Sequence, residues 1–201
     1  MTTVQLLDQS AIAPPQNHQL SPKFKFTTQQ YHLMHEAGVF NDGDRLELIN
    51  GEIKLMSPIG RKHGACINRL NKLIQKKLGD LMVLSVQNSI LLDDNSQPQP
   101  DLAILKPRDD FYESGLPTPE DILLIIEVAD SSIDYDRHEK APLYAAAGIP
   151  EMWLFDVNKK TIEGYSQPSA LGYKQIHRYD EGDTLSMLAF PDITFHWHEL
   201  F

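Results

Sequence analysis

The chain of 201 residues has 28 Asp and Glu against 18 Lys and Arg, a net charge of −10, and 41% hydrophobic residues, which indicates one soluble globular domain. Its single cysteine, Cys66, excludes an intramolecular disulfide, and no apolar run approaches the roughly 20 residues of a membrane span. The acidic balance argues against general binding to polyanions, and the N-terminus lacks the pattern of a secretion signal, so we expect a cytoplasmic protein.

The N-terminal part of the chain divides into an arm and the start of the domain. Residues 1–22 carry Gln, Pro and Ser with little periodicity, so we expect a flexible arm followed by a single domain over residues 23–201. Thr27 and Gln30 have the spacing of a capping box, which predicts a helix over residues 28–37.

A β-hairpin and an amphipathic helix come next. Residues 45–56 contain two short strand patterns joined at Asn50-Gly51, a dipeptide that readily adopts the positive φ angles of a two-residue hairpin turn. Apolar residues at helical spacing then predict a helix over residues 61–78, which Gly79 can end. The polar side of this helix carries a stripe of Lys and Arg, which either meets a phosphate backbone or is simply solvated.

Further strands follow, and one of them has the pattern of a central strand. Residues 122–129 are almost uniformly aliphatic apart from Glu127, as expected for a strand covered on both faces. A helix over residues 139–147 and a strand over residues 151–157 complete a strand–helix–strand unit, and this crossover predicts two parallel strands. The other predicted strands are residues 81–86, 89–92, 102–105, 162–165, 173–179 and 185–187. The sequence therefore predicts an α/β fold with a mixed central β-sheet flanked by helices.

Two carboxylates stand at the ends of consecutive predicted strands of the sheet. Asp101 comes directly before one strand and Glu127 lies near the end of the next, so the two converge at one edge of the sheet if these strands are neighbours. Two crowded acids resist ionisation unless a cation compensates them, which favours a divalent metal site. The alternative is structural, with Asp101 capping its loop and Glu127 paired with an Arg or Lys.

Lys140 follows in the next helix and can reach back over the strand end that carries the acids. Two acids that hold Mg²⁺ and a lysine that positions or deprotonates the nucleophile would form a set suited to phosphoester hydrolysis. The alternative is an ion pair between Lys140 and Asp136 on an exposed helix face. Because Pro142 opposes a helix that starts at Asp136, we expect a later start that leaves Asp136 and Arg137 in the connecting loop.

Several short segments follow one another in a definite order along the chain. They are Glu47-Leu48-Ile49-Asn50-Gly51-Glu52, Met56-Ser57-Pro58 with His63, Pro100-Asp101, Glu127-Val128-Ala129, Asp136-Arg137-His138-Glu139-Lys140, Leu143-Tyr144, Ala147-Gly148-Ile149 and Glu151-Met152-Trp153. No single segment is specific by itself. Together, over about residues 27–165, their order and spacing resemble the Uma-two family of restriction-endonuclease-like proteins.

The resemblance implies the PD-(D/E)XK nuclease fold with an N-terminal helix and hairpin, hydrolysis of DNA that depends on Mg²⁺ or Mn²⁺, and a homodimer. In that family pattern Asp101 would be the motif aspartate and Glu127 the second acidic metal ligand. One position departs from the pattern, because Ala129 stands in the place of the motif lysine and Lys140 is its implied replacement. Glu47 would be an assisting acid from the hairpin, unless it is an ordinary exposed strand carboxylate.

Three further side chains are candidates for contact with substrate. His63 lies near the start of a predicted helix, where a phosphate can bind, although a lone histidine is often an ordinary surface residue. Tyr144 lies one turn beyond Lys140 and can touch substrate, support the lysine or belong to the core. Asp136, at the same edge of the sheet, is free to serve the site if it lies in a loop.

The leading hypothesis is a metal-dependent endonuclease that acts on DNA, with Asp101, Glu127 and Lys140 central and Glu47 assisting. A second hypothesis, from a different class, is a nuclease-fold protein that no longer cuts and serves as a binding or regulatory module. Hydrolysis of another phosphoester would use the same metal chemistry. No motif indicates an organic cofactor or a membrane partner.

Overall fold

A computed structural model describes residues 23–41 and 43–201, so the predicted arm, residues 1–22, lies outside the described residues. The helices are α1 Thr28–Glu36, α2 Arg61–Leu78, α3 Ile133–Tyr135, α4 Ala141–Ala146 and α5 Trp197–Leu200, and a π-helical turn, Asp136–Lys140, joins α3 to α4. The strands are β1 Leu46–Ile49, β2 Glu52–Leu55, β3 Val83–Val86, β4 Leu102–Leu105, β5 Ile122–Ala129, β6 Glu151–Asp156, β7 Thr161–Ser166, β8 Gln175–Tyr179, β9 Thr184–Met187 and β10 Phe190–His196. Short 3₁₀ turns lie at Gly79–Leu81 and Pro119–Asp121.

Six strands form the central sheet in the order β3-β4-β5-β6-β7-β8, while β1 pairs with β2 and β9 with β10 in two small sheets. Neighbouring strands of the central sheet are antiparallel except β5 and β6, which are parallel. The predicted mixed sheet and its strand–helix–strand crossover are therefore confirmed. Strand β5 lies inside the sheet and is buried along almost its whole length, as its aliphatic sequence predicts.

The two faces of the sheet are covered by different elements, because successive side chains of a strand point to opposite sides. On one face Ile126 of β5 packs with Leu70 and other apolar residues of α2, and with residues of β9, β10 and α5. On the other face Ile125 of β5 lies in a cluster with Tyr144 of α4 and Met152 of β6. None of the described helices combines the length and the apolar character needed to cross a membrane.

The predicted hairpin is confirmed, and it docks on the edge of the site. β1 and β2 are antiparallel, and Asn50 and Gly51 have φ angles of 49° and 74°, as a two-residue turn with two positive φ angles requires. Leu48 of β1 exchanges backbone hydrogen bonds with Gln97, at 2.7 and 3.3 Å, in the loop before β4. This pairing fixes the neighbouring Glu47 close to the ends of β4 and β5.

Two sequence-based predictions about strands differ from the structure. Residues 89–92 are not a strand, because Gln87 has a φ angle of 51° and turns the chain away after β3. The backbone N–H groups that follow donate to loop carbonyls instead of a sheet partner, as Ile90 does to Pro98 at 3.0 Å. Strand β10 and helix α5, at the C-terminal end, were absent from the prediction.

The predicted helix start after Asp136 is wrong. The helical segment begins at Ile133, so Asp136 and Arg137 lie within it and not in a loop. The N–H of Ala141 donates to the carbonyl of Asp136, five residues back, as in a π turn. This wider turn accommodates Pro142, which has no N–H to donate and which would crowd the carbonyl four residues back in a regular α-helix.

Candidate active site

A cavity of about 310 Å³ opens where the hairpin, the start of α2 and the ends of β4 and β5 meet. Its wall includes the five ionisable residues that are central to the sequence analysis, which are Glu47, Asp101, Glu127, Asp136 and Lys140. All five are buried side chains, although the elements that supply them are far apart in the chain. The fold therefore gathers four acids around one lysine.

The pair Asp101 and Glu127 comes from neighbouring strands. β4 and β5 are antiparallel, and Leu102 lies opposite Ile126. This register places Asp101, directly before β4, next to Glu127 of β5. Oδ2 of Asp101 accepts a hydrogen bond from the backbone N–H of Val128 at 2.9 Å. The two carboxylates therefore lie at one edge of the sheet, as the sequence predicts.

Lys140 reaches back from the π turn to the acids. Its Nζ lies 3.1 Å from Oε1 of Glu127 and 3.2 Å from Oε2 of Glu47, and its side chain is 4% exposed. An exposed ion pair with Asp136 is therefore not what this lysine forms. Glu47 is 2% exposed, so it is not an ordinary surface carboxylate either. The pairing of Glu127 with a lysine, raised as an alternative to a metal site, is present in the structure.

Two tyrosines hold the carboxylates that contact Lys140. The hydroxyl of Tyr144 donates to Oε1 of Glu127 at 2.6 Å, and the hydroxyl of Tyr135 donates to Oε1 of Glu47 at 3.1 Å. Tyr144 is fully buried behind Glu127, so the structure gives it a supporting place and not a place on the cavity wall. Tyr135, which does line the cavity, was not singled out in the sequence, where it falls in the segment before the predicted helix over residues 139–147.

His63 lies on the cavity wall in the first turn of α2 and contacts Asp101. Its Nε2 is 2.9 Å from Oδ2 of Asp101, and a carboxylate oxygen accepts, so Nε2 is the donor. The other ring nitrogen, Nδ1, is buried and has no hydrogen-bond partner among the described residues. Oδ1 of Asp101 has a longer contact, 3.3 Å, with the side-chain amide of Gln87. His63 thus orients one oxygen of Asp101 and leaves the other less constrained.

Burial and neighbouring charges shift the pKa values of the site in opposite directions. Burial raises the pKa of Glu127 to about 8, although the ammonium of Lys140 and the hydroxyl of Tyr144 lower it in part. Burial alone would lower the pKa of Lys140, but the surrounding carboxylates, above all Glu127 and Glu47, raise it above its ordinary value, so the side chain stays protonated. Burial also raises the pKa of Asp136, whose Oδ2 accepts a hydrogen bond from Ser132 at 2.6 Å. The acids are therefore only partly compensated by one lysine.

Two carboxylates on the cavity wall are candidate ligands for a divalent cation. Within residues 23–41 and 43–201 no group of three or more His, Cys, Asp or Glu side chains is arranged to hold a metal. Mg²⁺, however, usually binds one or two carboxylates and completes its shell with water and substrate phosphates. Asp101 and Glu127 supply two such carboxylates on one cavity wall, and a cation there would relieve the cost of ionising the buried Glu127.

Part of the basic stripe on α2 contacts the C-terminal end of the chain. Nζ of Lys77 lies 2.6 Å from Oε2 of Glu199, and the guanidinium of Arg69 donates to the carbonyl of Leu200 at 3.5 Å. Lys62, nearer the cavity, donates to Asn158 at 2.8 Å. These contacts give part of the stripe a structural use that the sequence did not reveal.

Known proteins resemble the chain in sequence and in fold. The model of a family named Uma2, described as “Putative restriction endonuclease”, matches residues 28–198. A solved structure described as “a putative nuclease belonging to DUF820 from Anabaena variabilis ATCC 29413” is similar with a TM-score of 0.68 and 16% identity, over 88% of this chain and 97% of that chain. At that identity the likeness shows the fold alone. No functionally curated protein matches the chain.

Proposed function

The chain belongs to the Uma2 family, as the order of its motifs predicts, and on that premise we propose that it is a metal-dependent endonuclease that hydrolyses phosphodiester bonds of DNA. One observation carries the proposal: Asp101 and Glu127 lie on the wall of one cavity, beside the buried ammonium of Lys140. Acids from adjacent strands with a nearby fixed positive charge are the groups that metal-assisted hydrolysis of a phosphodiester needs.

Each side chain of the site has a separate part in this proposal. Asp101 and Glu127 would hold Mg²⁺, or Mn²⁺ in its place, which supplies Lewis-acid polarisation of the phosphoryl group and acidification of a water molecule. Val128 and His63 direct two N–H groups to Oδ2 of Asp101, which fixes the orientation of that carboxylate.

Lys140 acts as a positive charge in the proposed reaction and not as a base. The surrounding carboxylates keep its pKa above the ordinary value, so it is an ammonium at neutral pH. Two carboxylates contact Nζ, and an ammonium has three donors, so one N–H remains for a phosphoryl oxygen or for the attacking water. Glu47 holds the lysine from the hairpin side and couples the hairpin to the chemistry.

The substrate and the assembly are also part of the proposal. DNA is the proposed substrate, and two copies of the chain in a homodimer would offer one site to each strand of a duplex. Analytical ultracentrifugation of the purified protein, alone and with duplex, tests the assembly. A chain that stays monomeric in both conditions contradicts the dimer and leaves the chemistry of the site untouched.

Cleavage of supercoiled plasmid is the first test of the function. Purified protein is incubated with Mg²⁺, Mn²⁺ or EDTA, beside the variants Asp101→Asn, Glu127→Gln and Lys140→Met. We expect metal-dependent nicking that falls by about 100-fold or more in each variant, since each removes a group from the reacting centre. Glu139→Gln, an exposed change in the same π turn, is the matched control and should nick at the wild-type rate.

The outcomes separate the three hypotheses. Nicking that survives Asp101→Asn and Glu127→Gln refutes the assigned site. Absence of nicking together with absence of Mn²⁺ binding by calorimetry favours the module that does not cut, whose acids are compensated by Lys140 alone. Metal-dependent hydrolysis of a small phosphodiester such as bis(p-nitrophenyl) phosphate, without nicking, indicates another phosphoester as substrate.

A further inference from the structure

Three lysines converge on one glutamate at the hairpin. Nζ atoms of Lys23, Lys25 and Lys54 lie 3.4, 3.0 and 2.7 Å from the carboxylate oxygens of Glu52. The lysine side chains are 76%, 48% and 35% exposed, so their ammonium groups face solvent. Hydrogen bonds from Lys54, Lys25 and Lys23 hold the pKa of Glu52 at about 2, so it stays ionised at neutral pH. Together these four residues, the hairpin lysine patch, carry two net positive charges.

The segment that carries Lys23 and Lys25 is fixed against the hairpin turn. The N–H of Phe26 donates to the carbonyl of Gly51 at 2.9 Å, and the side chain of Asn95 donates to the carbonyl of Phe26 at 2.8 Å. A Cβ atom at Gly51 would lie 2.8 Å from Cβ of Lys25, so glycine is needed for this close approach. The patch is therefore held in place by the backbone and does not depend on lysine flexibility alone.

The patch continues into the candidate active site. Lys54 of β2 and Arg45, which directly precedes β1, both line the cavity that contains Asp101 and Glu127. Phe24, between Lys23 and Lys25 in the sequence, is 67% exposed, so an exposed aromatic residue is interleaved with two lysines of the patch. Basic residues interleaved with exposed aromatic residues are typical of surfaces that bind nucleic acids.

The negative net charge of the chain makes a local group of positive charges beside the cavity significant. A net charge of −10 repels a polyanion, so binding of DNA needs a local concentration of positive charge near the reacting centre. The α2 stripe holds more cations, but of the residues of α2 only His63 lines the cavity, whereas Arg45 and Lys54 at the hairpin line it. The hairpin lysine patch has a positive surplus and adjoins the cavity.

We propose that the hairpin lysine patch binds the phosphate backbone of duplex DNA beside the cleavage site and so positions the substrate over the cavity. This inference rests on the proposed nuclease function, which supplies the DNA. Glu52 has a defined part in it, because it holds the three lysines together and also reduces the charge that they present.

The test is the salt dependence of binding, measured apart from cleavage. Fluorescence anisotropy of a short labelled duplex is followed in EDTA over a range of KCl concentrations, with the full chain. In the variant Lys23→Gln/Lys25→Gln/Lys54→Gln, we expect the slope of log K against log[KCl] to fall by roughly 2 to 3, because each lost phosphate contact removes about 0.9. Glu52→Gln should steepen the slope by about one contact and tighten binding. The matched control changes three exposed lysines elsewhere, namely Lys72→Gln/Lys76→Gln/Lys174→Gln.

The outcomes distinguish the patch from the proposed function. A smaller slope in the patch variant and an unchanged slope in the control variant support the patch. If both variants lose the same slope, binding follows total charge and the patch proposal is overturned. If wild type nicks plasmid while the patch variant binds with the wild-type slope, the patch is refuted and the nuclease stands. If wild type neither binds nor nicks DNA, the proposed function fails and the patch proposal fails with it.

Discussion

Replacement of Lys140 by methionine tests the central electrostatic argument. Methionine keeps most of the side-chain volume but removes the cation that contacts Glu127 and Glu47, whose side chains are 3% and 2% exposed. Above the pKa of Glu127, about 8, removal of the lysine leaves a buried carboxylate without its counter-charge, which costs about 3 to 5 kcal/mol. For a domain of this size we therefore expect the melting temperature to fall by roughly 6 to 20 °C.

Urea unfolding followed by circular dichroism measures the free energy of unfolding of each variant. The dependence of that free energy on urea concentration is compared between variants. The triple variant Lys140→Met/Glu47→Gln/Glu127→Gln removes both orphaned charges and should recover most of the lost stability. Arg178→Gln breaks an ion pair that is 60% exposed on both sides and serves as the control, with an expected cost of less than about 1 kcal/mol. A cost for Lys140→Met as small as that of the control, or a triple variant as unstable as the single one, would refute the reasoning.

Three further predictions concern metal binding and the hairpin. His63→Gln keeps a donor near the position of Nε2 and should retain the affinity for Mn²⁺, whereas the shorter side chain of His63→Asn should reduce that affinity about tenfold. Titration calorimetry measures both affinities, and equal values contradict an orienting role for His63. Because burial raises the pKa of Glu127 to about 8, a metal ion must displace a proton from this carboxyl at neutral pH. The affinity for Mn²⁺ should therefore rise as the pH increases through about 8, and calorimetry in buffers of different ionisation enthalpy should detect the released proton. Metal affinity that is independent of pH contradicts this prediction. Gly51→Ala should lower the free energy of unfolding, measured in urea, by roughly 1 to 3 kcal/mol, which is more than Gly38→Ala should. Both glycines have positive φ angles, but only at Gly51 would a new Cβ atom clash with Lys25. Equal losses would show that the φ angle alone matters.

The parts of the fold that the sequence predicts well are those set by local patterns. Asn50-Gly51 defined the hairpin because few dipeptides adopt its turn, and the aliphatic run of residues 122–129 could only suit a strand covered on both faces. Placing Asp101 and Glu127 at one sheet edge needed a single assumption, that consecutive strands are neighbours, and the structure satisfies it.

The failures have physical causes that one sequence does not display. The rule against proline inside a helix holds for α-helices, so Pro142 suggested a late helix start when the chain in fact widens into a π turn. Residues 89–92 form a short apolar run that suggested a strand, but their N–H groups bond to loop carbonyls, which depends on where distant loops lie. The contacts of Tyr135 with Glu47 and of His63 with Asp101 join residues 88 and 38 positions apart, and no local pattern announces them.

The π turn also decides the angular phase of the helical segment that contains it. Tyr135 and Tyr144 are nine residues apart, and at about 100° per residue a regular α-helix would point them roughly 180° apart, on opposite sides. The extra residue taken up by the wide turn reduces this difference to roughly 80°, so both hydroxyls can meet carboxylates of the same cavity. The segment therefore keeps the tyrosine phase of an α-helix that is one residue shorter: deletion of the exposed His138 with closure of the wide turn would preserve this phase, whereas closure of the turn without a deletion would point the two tyrosines to opposite sides.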